Sequence, residues 1–284
     1  MPLRHLSQSG KIRRLRRREL ALRQVPFLLT ALFFASVAIC CRAEAPSPAA
    51  TAWFAAYTHA LEARLDQQHE VASEFIPGLA NPAIMARLRK GKPIVEDKTP
   101  PDQRVDGALL HDWRGTMFVP GATAADCERL LKDYSAYPKD YAPEILSAAI
   151  INHHSNRYNV KIRLQQKHVI TVVLDTTYDV VFKQLDAQHG YSMSRSTRVA
   201  EIADPGTPEE HSLPVAEEHG FLWRVNVYWS WEQRDGGVYL RMETVTLTRA
   251  VPNGLGWLMG SYLKKAPRDS LEFTLRATRK VLRR

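Results

Sequence analysis

The stretch FLWRVNVYWSWEQRDGGVYLRMETVTLTR, residues 221–249, decides the fold class. In its first half the odd positions from Trp223 to Trp231 are all Trp or Val, whereas the even positions are half polar. Because successive side chains of a strand point to opposite faces, this alternation predicts a strand with one buried apolar face. Asp235-Gly236-Gly237 follows as a tight-turn signal, so 221–233 and 238–249 are predicted to pair as an antiparallel hairpin.

More strands are predicted ahead of this hairpin. Runs rich in β-branched and aromatic residues, bounded by turn residues, predict strands over about 146–153, 157–167, 169–183 and 190–203. WRGTMFV, residues 113–119, predicts one further strand. Thr123 is a suitable N-cap for a helix that continues to about Tyr134. The polar, Pro-containing segment from Asp204 to Gly220 is predicted as a loop.

Helices are predicted at both ends of this strand-rich region. Apolar residues at spacings of four, three and four predict a long amphipathic helix that opens at Pro267, after a hinge of small residues, GLGWLMG, at 254–260. On the N-terminal side, periodicity predicts helices over Thr51–Phe75 and Asn81–Arg89. Lys92–Asp106 carries three prolines among charged residues and is predicted as an extended connector.

The order strand, helix, six strands, long helix resembles the helix-grip fold of the START-like (SRPBCC) superfamily, which includes polyketide-cyclase-like members. The segments WRGTMFVPGATAADCERLL, residues 113–131, and PRDSLEFTLRATRKVL, residues 267–282, carry the resemblance together with the hairpin. It implies an α+β fold, with a seven-stranded curved antiparallel sheet around the C-terminal helix and a cavity for an apolar ligand between them. The predicted segments are a signal peptide or membrane anchor (1–45), a linker and helical extension (46–106) and the helix-grip domain (107–284).

Charge and composition exclude several classes of protein. The net charge is +9 over 284 residues, but residues 1–45 hold nine basic and two acidic side chains, which leaves +2 for the rest. Binding to a phosphate backbone needs many basic groups on one surface, so no nucleic-acid partner is expected. A mean hydropathy of −0.30 excludes a multi-span membrane protein.

The sequence lacks the motifs of the common hydrolases and nucleotide-binding enzymes. It has no G-x-S-x-G, P-loop or H-E-x-x-H motif, and no cofactor is expected. Two acidic-His triplets, Glu209-Glu210-His211 and Glu217-Glu218-His219, lie in the predicted loop. Adjacent side chains seldom converge on one ion, so no metal site is predicted.

Residues 25–41, VPFLLTALFFASVAICC, lie between an Arg-rich segment and the small residues Ala43 and Ala45. This pattern predicts a secretory signal peptide cleaved near Ala45. The stretch is also close to the shortest membrane-spanning helix, so an uncleaved anchor with membrane association is the alternative. Either way the rest of the chain is predicted to be exported to the periplasm or cell envelope. After cleavage Cys127 is the only cysteine, and its helical spacing predicts a buried structural thiol.

Candidate ligand-binding residues come from the polar strand positions and the predicted hinge. Arg195, Arg224 and Arg241 are predicted to grip an acidic headgroup, because a guanidinium donates paired hydrogen bonds to carboxylate or phosphate. The alternative is that the strand Arg and Glu residues form ladders of opposite charge on a solvated face. The full candidate set is Arg195, Glu201, Arg224, Tyr228, Arg241, Glu243 and Trp257.

Three functions are compatible with these observations. The first is an exported binding protein that sequesters an apolar or amphipathic small molecule, such as a lipid, in the cavity. The second, implied by the resemblance, is a cyclase- or aromatase-like enzyme, which needs an acid or base inside the cavity. The third is an envelope protein-interaction module in which residues 51–106 cap the cavity mouth and dock a partner. Ligand identity and oligomeric state stay open, and the candidate acids or bases are Arg195, Glu201, Tyr228 and Glu243.

Overall fold

A computed structural model describes residues 45–167, 171–250 and 256–283 of the chain, with 256–265 as backbone only. Within these residues the strands are β1 (Ile94–Asp97), β2 (Arg104–Val105), β3 (Ala108–Pro120), β4 (Ile145–His154), β5 (Arg157–Lys167), β6 (Thr171–Gln184), β7 (His189–Ala203), β8 (His211–Ser212), β9 (Arg224–Arg234) and β10 (Gly237–Arg249). They form an antiparallel sheet in the order β1-β3-β10-β9-β7-β6-β5-β4, with β2 beside β3 and β8 beside β7.

The helices of the described residues are α1 (Pro48–Gln68), α2 (Pro82–Arg89), α3 (Ala124–Lys132), α4 (Tyr137–Asp140) and α5 (Gly256–Leu282). Local sequence explains where several of them begin. The Ser47 hydroxyl accepts a hydrogen bond from the Ala50 N–H and Pro48 follows it, an arrangement that favours a helix start. Thr123 and Asp126 form a reciprocal capping box at the start of α3, as the predicted N-cap requires.

The sheet separates two apolar clusters. Its inner face, defined here as the face covered by α3 and α5, includes Met117, Trp229 and Met242. Gly115 of β3 lies on this face, where a side chain would collide with Leu271 and Leu275 of α5, so glycine permits the helix to approach closely. The C-terminal helix therefore packs directly on the sheet, as a helix-grip fold requires.

The outer face is covered by the N-terminal extension. Phe54, Leu61 and Leu65 of α1 cluster with strand residues such as Tyr228 and Val245, whose side chains point away from α5. The described residues accordingly form one compact unit. Helix α1 lies on the opposite side of the sheet from α5, and Gly91 of the extension contacts α5 through Arg279, near the end of that helix. None of residues 51–106 lines the cavity between the sheet and α5, so the expectation that they cap its mouth is wrong.

The predicted α+β helix-grip architecture is confirmed, with more than the seven predicted strands. Lys92–Asp106 is not only a connector, because β1 and β2 in this segment both pair with β3. Likewise β8 lies in the predicted loop from Asp204 to Gly220 and pairs with β7. Short strands are missed by sequence patterns because two to four residues show no measurable alternation.

Two helix boundaries also differ from the predictions. Helix α1 ends at Gln68 rather than near Phe75, and His69 then turns into the core against Tyr191. Helix α5 begins at Gly256, so Pro267 lies inside it. Proline removes one backbone hydrogen bond from the helix, which is unfavourable. The burial of Leu271 and Leu275 against the sheet still stabilises the helix, which continues on both sides of Pro267.

The predicted signal segment, including residues 25–41, lies outside the described residues. In the part that is described, no helix is long and apolar enough to cross a membrane. Cys127 is a free thiol that is only 1% exposed in the inner cluster, and burial raises its pKa to about 12. The prediction of a buried structural cysteine is confirmed.

Candidate functional site

A cavity of about 230 Å³ lies between the inner face of the sheet and helices α3 and α5. Alternate side chains of β5, β6, β7, β9 and β10 form one wall, and the helices with the segment between α3 and β4 form the other. The lining residues Leu131, Phe182 and Trp229 are buried, whereas Leu164 and Leu222 are partly exposed. Within the described residues the cavity therefore has a closed end and a more open end.

Tyrosines form part of the helical wall. Tyr137 lies between Tyr134 and Tyr141, with ring centroids 4.9 Å and 5.0 Å away. The Tyr137 hydroxyl donates to the Leu131 carbonyl oxygen at 2.8 Å, and the Tyr141 hydroxyl is 3.1 Å from the Thr278 hydroxyl. Burial raises the pKa of all three phenols well above the usual value, so they stay neutral.

The strand register produces rows of small side chains in the sheet wall. Ser194 of β7 lies opposite Val227 of β9, which lies opposite Thr244 of β10. Thr246 lies opposite Val225 in the next row. All five residues line the cavity, so a band of hydroxyl groups borders its apolar centre.

No Asp, Glu, Lys, Arg or His belongs to the cavity lining within the described residues. The nearest carboxylate contact runs through Ser270 of α5, which lines the cavity and whose hydroxyl donates to Glu144 at 3.1 Å. Burial raises the pKa of Glu144 to about 7. The enclosed surface is thus apolar, with neutral hydroxyl groups and a titratable carboxyl group at its margin.

Most of the predicted site residues lie on the outer face instead. Arg195 donates through Nε and Nη2 to the two carboxylate oxygens of Glu62 in α1, at 2.7 Å and 2.9 Å. The Tyr228 hydroxyl donates to the same carboxylate at 2.9 Å. These side chains bind the N-terminal extension, and neither Arg195 nor Tyr228 lines the cavity.

Arg241 and Glu243 are also on the outer face. Glu243 is 1% exposed and binds Arg114 at 2.7 Å and Arg64 of α1 at 2.9 Å. Arg241 donates to the Thr116 hydroxyl at 3.2 Å and to the Pro77 carbonyl oxygen. Burial, followed by the positive charge of Arg114, lowers the pKa of Arg241 to about 10. Neither residue reaches the cavity, and they are not on a solvated face either.

The remaining predicted residues have separate positions. Glu201 is buried and accepts hydrogen bonds from the backbone N–H groups of residues 219–221, so it holds the segment that leads to the cavity-lining Phe221. Arg224 is half-buried and donates to the carbonyl oxygen of Trp223. Trp257 is in the first turn of α5, and its side chain lies outside the described residues.

Side chains of the two acidic-His triplets form hydrogen bonds with other protein groups. Glu210 accepts from Arg163 at 2.6 Å and from the backbone N–H of Gly206 at 2.8 Å, while His219 lies 2.9 Å from Glu201. Across the described ranges, no group of three or more His, Cys, Asp or Glu side chains is placed to hold a metal ion.

Sequence reasoning missed the tyrosine wall and the band of hydroxyl groups. One signal was present, because the two-residue turn at Asp235-Gly236 fixes the hairpin register. That register places the apolar odd positions of β9 beside the even positions of β10, which include Thr244 and Thr246. The apolar alternation in β9 therefore also marks the β10 residues that face the cavity.

No protein-family model matches the sequence, and no curated protein matches it significantly. Among solved structures, it is similar to a STAR-related lipid transfer protein from Xanthomonas axonopodis, with 17% identity, coverage of 64% of this chain and 96% of that chain, and a TM-score of 0.41. It is also similar to the Zhui aromatase/cyclase from Streptomyces sp. R1128, with 13% identity, coverage of 61% of this chain and 93% of that chain, and a TM-score of 0.41. A third similar structure is human STARD10, with 10% identity, coverage of 73% of this chain and 80% of that chain, and a TM-score of 0.40. The element order and sheet described above are those of a helix-grip fold, extended by three short strands.

Proposed function

We propose that this protein binds and sequesters an apolar small molecule, such as a lipid or one apolar end of it, between the sheet and α5. The observation that carries the proposal is a cavity of about 230 Å³ whose described lining is apolar or neutral throughout. Its volume is about eight times the ~30 Å³ that one water molecule occupies in the liquid. Water in such a space makes few hydrogen bonds, so an apolar molecule that displaces it gains free energy.

The positions of the ionisable groups favour binding over catalysis. A cyclase-like reaction needs a group that takes or gives a proton inside the cavity. Of the four candidates, Arg195, Tyr228 and Glu243 bind the extension or its neighbours on the outer face, and the Glu201 carboxylate is used by backbone N–H groups. The tyrosines that do line the cavity have raised pKa values, so they stay protonated, cannot accept a proton and are weak acids.

The test is mass spectrometry of organic extracts from the full chain, purified without detergent from the cells that make it. We expect one apolar compound at close to one molecule per chain, absent from extracts of protein that was denatured and washed first. The matched control is the Ser194→Phe variant, which places a large ring in the cavity wall and should yield protein without the compound. An empty wild-type protein would contradict the proposal.

We further propose that residues 1–45 direct export of the chain to the periplasm or cell envelope. The support is the order of a basic segment, an apolar stretch at 25–41 and small residues at Ala43 and Ala45. Cell fractionation with intact-mass measurement tests this: cleavage near Ala45 or retention in the inner membrane agrees with export. A full-length chain in the cytoplasmic fraction contradicts it.

A further inference from the structure

Two hydroxyl groups in the cavity wall have no hydrogen-bond partner. Thr244 Oγ1 and Thr246 Oγ1 are both buried, and neither is bonded to another group among the described residues. Both side chains line the cavity. A buried hydroxyl without a partner is unfavourable, because folding has removed its hydrogen bonds to water. A rotation of about 120° about the Cα–Cβ bond moves the hydroxyl of a threonine into the position of its methyl group, so each of these groups can turn toward a bound molecule.

Two hydroxyl groups of α5 on the opposite wall already have partners. The Ser270 hydroxyl donates to Glu144, and the Thr274 hydroxyl donates to the Ser270 carbonyl oxygen at 2.9 Å. Both residues lie on α5, facing the cavity. Within the described lining, the buried polar atoms without a partner are therefore both on β10, next to the apolar row of β9.

The same wall offers nothing to an ion. No charged side chain belongs to the described lining, and the arginines that could bind an anion, Arg195 and Arg241, are on the outer face. An anionic group inside the cavity would lose its hydration without gaining a counter-charge. A neutral oxygen, in contrast, would accept or donate a hydrogen bond to a threonine that lacks a partner.

We infer that the enclosed part of the ligand is uncharged and carries a carbonyl or hydroxyl oxygen that binds Thr244 or Thr246. This inference rests on the proposed function and specifies its ligand class. It replaces the acidic headgroup predicted from the three arginines, because that prediction required guanidinium groups inside the cavity.

Three compounds of nearly the same shape test the inference: 2-acetylnaphthalene, 2-isopropenylnaphthalene and 2-naphthoate at pH 8. The first carries a neutral oxygen, the second has a methylene group in its place, and the third is an anion. Titration calorimetry with the full chain should give the ketone an affinity about fivefold to tenfold above that of the hydrocarbon, the gain typical of one hydrogen bond. The carboxylate should bind at least about tenfold more weakly than the ketone.

The double variant Thr244→Val/Thr246→Val should lose the preference for the ketone while it keeps the affinity for the hydrocarbon. Thr274→Val is the matched control, because its hydroxyl is already bonded within α5; it should keep the preference. Carboxylate binding as tight as ketone binding, or a preference that survives the double variant, overturns the inference while the proposed function stands. If even the hydrocarbon does not bind, both are contradicted.

Discussion

The two faces of the sheet use opposite chemistry, although both are covered by helices. The inner face meets α5 across a cavity whose described lining is uncharged. The outer face meets α1 through buried ions, with Glu243 between Arg114 and Arg64, and Glu62 between Arg195 and Tyr228. Close contact with charge pairs fixes α1 in place, whereas open apolar space under α5 leaves room for a ligand. The difference assigns a structural role to one face and a binding role to the other.

The largest expected effect is on the outer face, in the Glu243→Gln variant. Removal of this carboxylate charge leaves Arg114, whose side chain is 9% exposed, without its partner. Breaking a buried ion pair in this way typically destabilises a protein by about 3–5 kcal/mol, which urea unfolding measures.

Glu272→Gln is the control for that experiment. Glu272 pairs with Arg268 and Arg276 on the exposed side of α5, so its loss should change stability by less than about 1 kcal/mol. Equal effects of the two variants would contradict the structural role of the outer-face ions.

A comparison of two leucines separates stability from binding. Leu65 lies on the buried side of α1, and Leu271 of α5 lies beside the cavity. Substitution of either residue by Ala removes a side chain that is at most 3% exposed. Both should lose about 2–4 kcal/mol of stability. Only Leu271→Ala should change the affinity for 2-acetylnaphthalene in calorimetry, since Leu271 lines the cavity. An equal change in affinity from Leu65→Ala would break the distinction between the faces.

The hairpin at the centre of the sheet could be predicted because its signals are local. Alternation in β9 and the Asp235-Gly236 turn act within a few residues, and the predicted strands overlap the observed ones. The partner of the outer face could not be predicted in the same way. Arg64 and Glu243, which join α1 to β10, are 179 positions apart in the chain.

The candidate site was harder to predict than the fold. Alternation shows that a strand has two faces, but it does not show which face meets the C-terminal helix. The polar positions Arg195 and Glu243 could therefore be assigned to a cavity or to solvent, and a third environment under the extension was not visible in the pattern. The tyrosine wall was missed although Tyr134, Tyr137 and Tyr141 are spaced by three and four residues, because they follow the predicted end of helix α3 in short turns and the four-residue helix α4.

A smaller effect is expected from pH at the cavity margin. Burial raises the pKa of Glu144 from 4.5 to about 7, so the unfolded chain releases this proton first. Between pH 4.5 and 7 the folded state binds more protons, and stability falls as pH rises through that window. The Glu144→Gln variant has no carboxyl group to ionise, so it does not lose this stability. At pH 8 its free energy of unfolding should exceed that of wild type by about 1 kcal/mol, a value reduced for partial exposure.

The Glu144→Gln comparison uses chemical unfolding at pH 4 and pH 8. The amide can still accept the hydrogen bond from Ser270, so the two proteins should be equally stable at pH 4. An advantage of the variant that is already complete at pH 4 would mean that ionisation of Glu144 is not the cause.

The smallest effect is expected at Arg224, one of the arginines predicted to bind an acidic headgroup. Arg224 does not line the cavity, and its guanidinium donates to the backbone of Trp223. Arg224→Ala should change the affinity for 2-acetylnaphthalene by less than about twofold, within the range of surface substitutions. A loss of tenfold or more would return this arginine to the binding site.

The most direct test of the central claim is calorimetric titration of the full chain with 2-acetylnaphthalene, alongside Ser194→Phe and Thr197→Phe. Both positions are on β7, but Ser194 lines the cavity and Thr197 is exposed. A thermal melt of each variant confirms that it is folded. We predict one bound molecule per chain for wild type and Thr197→Phe, and none for Ser194→Phe. Unchanged binding by a folded Ser194→Phe variant would contradict a ligand site between the sheet and α5.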